Sequence, residues 1–193
     1  MHTRTTPRLL VLSLLFLPVL AQAHPGFHAA GFAHGVAHPL TGLDHICAMI
    51  AVGLWAAQRG GRAVWMVPLA FVTMMLGGGL LGMSGVHLPQ VETGILTSVL
   101  VLGLLVAAAV RLPLWLSAVV VGVFAVFHGY AHTIETPMNV SALTYNLGFL
   151  FSTALLHVIG IGFGLAVVRL GKVSLVRFAG GAIAVCGVVL LAS

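Results

Sequence analysis

Residues 113–134 read PLWLSAVVVGVFAVFHGYAHTI, and Glu135 follows. The stretch contains no Asp, Glu, Lys or Arg. As a helix it would run about 33 Å, enough to cross about 30 Å of hydrocarbon. It closes on two histidines and a carboxylate. The rest of the chain repeats the first property. Of 193 residues, 60% are hydrophobic and 6% charged, against roughly 25% charged in a soluble domain. Mean hydropathy is +1.16. This excludes a soluble globular domain, a disordered tail and a nucleic-acid binder. The pI near 10.3 does not alter that, because eight dispersed basic residues make no phosphate-tracking patch. The expected fold class is all-α: a polytopic membrane protein.

Working outward, Arg4 and Arg8 precede an apolar run from Leu9 to Leu20, and Ala21-Gln22-Ala23 follows. A basic start, a short apolar core and small residues at the cut predict a cleavable signal peptide over 1–23. An uncleaved anchor is the alternative. Residues 24–193 then form one transmembrane domain. Six spans are expected, near 39–57, 63–84, 91–110, 113–134, 140–168 and 173–192, with Gly, Pro or Arg punctuating the connections. Starting with His24 outside, Arg59, Arg62, Arg111, Arg169, Lys172 and Arg177 all fall on the cytoplasmic side, as the positive-inside rule requires. Both mature termini are then periplasmic, and the protein belongs in a bacterial inner membrane.

The acids follow the opposite sidedness. Asp44, Glu92 and Glu135 all map to the outer half, with no Lys or Arg beside them. Ten histidines against three acids is an unusual ratio for so apolar a chain. Carboxylates within spans are costly and normally face a cavity or a partner. Here the missing partner reads as an external cation.

Two constellations carry the chemistry. The first is His38-Pro39-Leu40-Thr41-Gly42-Leu43-Asp44-His45, with Met49 beyond it. Pro39 suits a first helical position. On a helical wheel His38, Thr41, His45 and Met49 share one arc bordered by Asp44. Imidazole with carboxylate is ordinary ligation for divalent Zn, Ni or Co. The second is His128, His132 and Glu135, at i, i+4 and i+7, so that all three share a helix face. The bland alternatives are a capping histidine for the first and interfacial polar residues for the second. Glu92 either joins the site or complements the dipole of its own helix. His157, mid-span, is either a satisfied core histidine or an inner relay ligand. His24 and His28 lie in an external segment expected to act as a capture arm or a flexible tail. Pro25 forbids a square-planar amine–amide–His site. Tyr145 and Asn146 are interfacial anchors or supports for the ligands, and His87 is a loop residue. Gly78-x3-Gly82 and Gly160-x3-Gly164 predict close helix contacts. Cys47 and Cys186 read as small core residues. There is no phosphate-binding loop to couple ATP hydrolysis.

At these residues the chain resembles the HupE/UreJ family of bacterial membrane proteins. The matching stretches are His38-Pro39-x-x-Gly42-x-Asp44-His45-x3-Met49, Pro89-x-Val91-Glu92-x-Gly94-Ile95 and Phe127-His128-Gly129-x-Ala131-His132-x-x-Glu135. The signal peptide and six subsequent spans match too, so the resemblance covers essentially the whole chain. The first and third motifs are specific and the second less so. The first is similar to the HxxxxDH signature of the wider nickel/cobalt transporters, with one more residue between. Thr133 departs from the family, where Gly is common. The resemblance implies uptake of nickel, sometimes cobalt, for hydrogenase or urease maturation.

The expected function is therefore a secondary transporter rather than an enzyme, with no prosthetic group. Its partners are a divalent transition-metal ion and the bilayer; the oligomeric state is left open. The ion would be held by His38, Asp44, His45, His128, His132 and Glu135, with Glu92 as a further candidate. It would be captured through His24 and His28 and passed inward by way of His157. Protonation of the imidazoles near pH 6 would weaken binding. Two rivals remain: a metal-dependent intramembrane hydrolase, and a metal-sensing accessory protein that transports nothing.

Overall fold

The computed structural model describes residues 27–137 and 140–193, with side chains from residue 31 onward within the first helix. Seven helices make up the described chain: α1 (Phe27–Thr41), α2 (Leu43–Arg59), α3 (Ala63–Met83), α4 (Val91–Ala107), α5 (Leu114–Ile134), α6 (Ala142–Arg169) and α7 (Val173–Ala192). Four of them, α3, α5, α6 and α7, are long and apolar enough to cross a membrane. A fifth crossing is made if α1 and α2, bent by 82° at their junction, count together. The helix α4 is apolar but has 17 residues, about 25 Å, short of a typical hydrocarbon core. By length and apolarity the described residues thus show four crossings, or five with the broken pair, of the six expected. The predicted signal peptide and His24 lie outside the described residues.

Three expected spans, those starting near 63, 113 and 173, agree with the observed helices to within a residue, and the fifth (140–168) to within two. The third ends at Ala107 rather than 110, because Ala109 takes a left-handed conformation (φ 52°) ahead of Pro113. The first departs most. Pro39 does not open a span; it lies near the end of α1, where its missing N–H costs one bond in the last turns. The break falls at Gly42, whose backbone is extended (φ −94°, ψ 119°). The stretch read as a tail or capture arm is helical from Phe27 onward.

The helices pack in pairs, α3 on α5, α4 on α7 and α2 on α6, with α1 also laid along α6. Small residues set the closest approaches. A Cβ on Gly129 would overlap the carbonyl oxygen of Met75, and one on Gly78 would overlap that of Val126. Likewise Gly53 abuts the carbonyl of His157, and Gly160 that of Ile50, at 2.6 Å from a notional Cβ. The glycine motifs are therefore packing seams, as expected. At 28 residues α6 is long enough to hold α1 against its first turns and α2 against its later ones. Large apolar side chains such as Phe178, Leu143 and Trp115 are exposed around the rim, as suits a multi-pass membrane protein with lipid on its outside.

At the end rich in basic residues, α2 is tied to the α4–α5 turn. Trp55 Nε1 donates to the Val110 carbonyl at 2.9 Å, and Gln58 Nε2 to the Val106 carbonyl at 3.0 Å. Arg59 donates to the Leu112 carbonyl and, at 2.8 Å, to Ser117 Oγ. The histidines gather toward the opposite end.

Candidate metal centre

Helices α1, α2 and α5 bring four histidines and two carboxylates together. One ring nitrogen each from His45, His128 and His132 lies within 4.8 Å of the others, and all three residues are buried. His38, His132 and Glu135 form a second such group, within the same limit. His132 belongs to both. The two triads therefore share a ligand and differ in depth: the side chains of His38 and Glu135 are 34% and 53% exposed, whereas His128 is fully buried. His38 Nε2 lies 3.3 Å from Glu135 Oε2.

The break at Gly42 makes this juxtaposition. The bend means that His38 and His45 do not share one helical face; α1 folds back so that His38 meets the His132 ring, with centroids 4.9 Å apart. A Cβ on Gly42 would stand 2.6 Å from Asp44 Oδ1, so only glycine leaves room for that carboxylate to turn back on His45. It does so twice, accepting from the His45 backbone N–H at 2.8 Å and pairing with His45 Nδ1 at 2.9 Å.

The protons on these rings are set by their partners. The Asp44 carboxylate accepts from His45 Nδ1–H, so Nε2 carries the lone pair and faces the cluster. His132 Nε2 lies 2.7 Å from it, which requires one proton between them. His132 Nδ1 is buried with no partner. For His128 the deciding residue is Ser98, which is fully buried on α4. The Ser98 hydroxyl donates to the Ile95 carbonyl at 2.6 Å, a separation that two oxygens reach only with a proton between them. Its oxygen then accepts from His128 Nε2–H at 3.0 Å. The lone pair of His128 is left on Nδ1, buried and unpartnered.

The cluster is thus three imidazoles turned toward one another, with unpartnered nitrogens at His128 Nδ1 and His132 Nδ1 and a carboxylate behind His45, the arrangement that orients and strengthens histidine ligands. Among the described residues no Lys or Arg pairs with either carboxylate. Nitrogens bound at about 2.1 Å and 90° apart sit about 3.0 Å from each other. To hold an ion, the His45–His132 pair at 2.7 Å would open by a few tenths of an ångström and move the proton between them to His132 Nδ1.

Neighbouring aromatics fill the remaining space. Phe149 of α6 lies against His132, with ring centroids 3.4 Å apart, and Tyr145 lies 5.9 Å from His38. Tyr145 is thus a buried neighbour of the site rather than an interfacial anchor. A mostly apolar cavity of about 360 Å³ between α3, α5 and α6 has His132 and Asn146 on its wall.

Some expected members lie elsewhere. Glu92 is exposed in the first turn of α4 and belongs to neither triad, which fits its role as a dipole partner. His28 lies in the first turn of α1, and its side chain lies outside the described residues, as does His24. His157 is 1% exposed and belongs to neither triad. It is not a satisfied core histidine, since neither ring nitrogen has a hydrogen-bond partner. His87 is exposed in a loop, as expected. Ser98, Phe149 and Gly42's steric role were not anticipated. The one available signal for Ser98 was a hydroxyl, next to that of Thr97, within the apolar body of α4.

Comparison with known proteins places these residues in context. The family model described as "HupE / UreJ protein" matches residues 12–190. The chain is 53% identical over 182 residues to "Protein HupE" of Rhizobium leguminosarum bv. viciae, covering 93% of this chain and 94% of that one. No solved structure matches it.

Proposed function

Because the chain belongs to the HupE/UreJ family, we propose that it is a secondary transporter carrying divalent nickel, or cobalt, from periplasm to cytoplasm for metalloenzyme maturation. The observation that carries this reading is the pair of triads sharing His132. An ion meets His38 and Glu135 at the exposed tier first, where the carboxylate offsets part of its charge. Rotation about the shared ligand passes it to His45 and His128 in the buried tier. Asp44 then supplies negative charge through His45. A transporter needs this graded exposure; a closed structural site does not.

In this reading the signal peptide over 1–23 is removed and six crossings result, with α4 and the α1–α2 pair completing the count. The histidine end and both mature termini face the periplasm, and the arginine end faces the cytoplasm of a bacterium's inner membrane. Inward movement of two charges down 100 mV gains about 4.6 kcal/mol, twice about 2.3. The membrane potential alone could therefore drive uptake. A metal-dependent hydrolase would need a position kept open for water and a base beside it. The crowded triads favour ion transfer instead.

The test is radioactive nickel uptake by cells expressing the wild type, His45→Ala or His132→Ala at matched membrane levels. Both variants should lose at least about 90% of accumulation, the loss of a tenfold or larger drop in affinity when a ligand goes. Undiminished uptake in both would sink the proposal, and hydrolytic activity in the purified protein would favour the enzyme.

A further inference from the structure

His157 lies in the middle of α6, is 1% exposed, and has no partner for either ring nitrogen. Holding an imidazole away from water without a partner is unfavourable compared with a leucine in the same space. Two further donors lie on the helix turns next to it and to its neighbour Phe71, though neither is hydrogen-bonded to the His157 ring. Thr153, one turn earlier on α6, donates its hydroxyl to the thioether of Met75 at 4.0 Å. Both are buried. Phe71, one turn before Met75 on α3, meets the His157 ring edge-on with centroids 5.2 Å apart. The same phenyl ring lies 5.6 Å from His128. Phe71 therefore packs against both His128 of the buried triad and His157. The depth agrees: the His157 carbonyl abuts Gly53 on α2, eight residues beyond His45, or about 12 Å farther along that helix.

We infer that His157, with the Met75 thioether and the Thr153 hydroxyl, forms a second, inner binding station for a divalent transition-metal ion of borderline softness. This rests on the transport reading above and extends it: the ion leaves the buried triad on the His128 side, passes Phe71 and pauses at His157. Imidazole and thioether suit nickel, cobalt or copper rather than magnesium or calcium. The station has one imidazole and two neutral donors with no carboxylate, so it binds more weakly than the triad. Conduction through successive sites requires that weakness, since an ion must leave as well as enter.

The test uses the purified full chain in lipid nanodiscs, titrated with Ni²⁺ by calorimetry, alongside uptake in cells. The wild type should bind a tight and a weaker ion. His157→Leu should keep the tight ion at unchanged affinity, which also reports correct folding, and lose the weaker one. Its maximal uptake rate should fall about tenfold at unchanged KM. Met75→Leu, close in volume, should weaken the second ion several-fold and leave the first alone. A wild-type protein that binds one ion, or a His157→Leu protein that keeps both or transports at the wild-type rate, overturns the inner station alone. No binding by the wild type overturns the transport reading with it.

Discussion

Replacing Ser98 by alanine removes one oxygen from the fully buried contact between α4 and His128, and with it the acceptor that fixes the tautomer of that histidine. The Ser98 proton is committed to the Ile95 carbonyl, so the hydroxyl oxygen can only accept, and it holds His128 as the Nε2–H tautomer. With alanine in its place, Nε2–H has no acceptor and His128 is fully buried. An orphaned buried donor costs about 1–3 kcal/mol. The ring can escape by moving its proton to Nδ1, but that blocks the nitrogen otherwise free for a metal. Loss of such an outer partner typically weakens metal affinity about 10–100-fold. We expect Ser98→Ala to weaken Ni²⁺ binding about tenfold, or about 1.4 kcal/mol, measured by calorimetry on purified protein. Ring ¹⁵N shifts of labelled histidine should show one imidazole leaving the Nε2–H form. Ser98→Thr keeps the hydroxyl and should bind like the wild type. Wild-type affinity and an unchanged tautomer in Ser98→Ala would refute the reasoning.

The same geometry has other consequences. Asp44→Asn keeps an acceptor for His45 Nδ1–H but removes the charge behind it, so Ni²⁺ affinity in the same titration should fall at least about tenfold. Gly129→Val places side-chain carbons against the Met75 carbonyl. Overpacking of this kind costs about 1–3 kcal/mol, and the thermal midpoint in detergent should fall clearly while Gly77→Ala, with open space around it, leaves it unchanged. Cys47 and Cys186 have Sγ atoms 3.9 Å apart across α2 and α7; a mild thiol oxidant should link them within one chain, seen by peptide mass, and failure to do so would contradict the α2–α7 packing.

Much of this was legible in the residues. Apolar runs between Gly, Pro and Arg placed α3, α5, α6 and α7 closely, because a membrane-crossing helix must satisfy its own backbone and advertises itself by length and apolarity. The spacing of His128 and His132 placed both on one helix face, since four residues nearly complete a turn. What misled was the stretch from His24 to His45. Its histidines, glycines and Pro39 look like a polar arm leading into a helix, yet α1 is helical and gains its stability by lying on α6. Local propensity is a weak guide where such tertiary contact decides.

The chain's composition and order alone settled its class, its family and the identity of most metal-ligand candidates, because burial in lipid selects residue types and helical periodicity assigns their faces. They could not settle which candidates meet. Glu92 carries as much charge as Glu135, yet one sits exposed at the start of α4 and the other reaches His38. The 82° break at Gly42, the proton held by Ser98 and the contacts of Phe71 with His128 and His157 depend on residues tens of positions apart in the chain. Such contacts arise only when helices pack, since nothing in local spacing encodes which faces of α1, α2, α4 and α5 will turn toward one another.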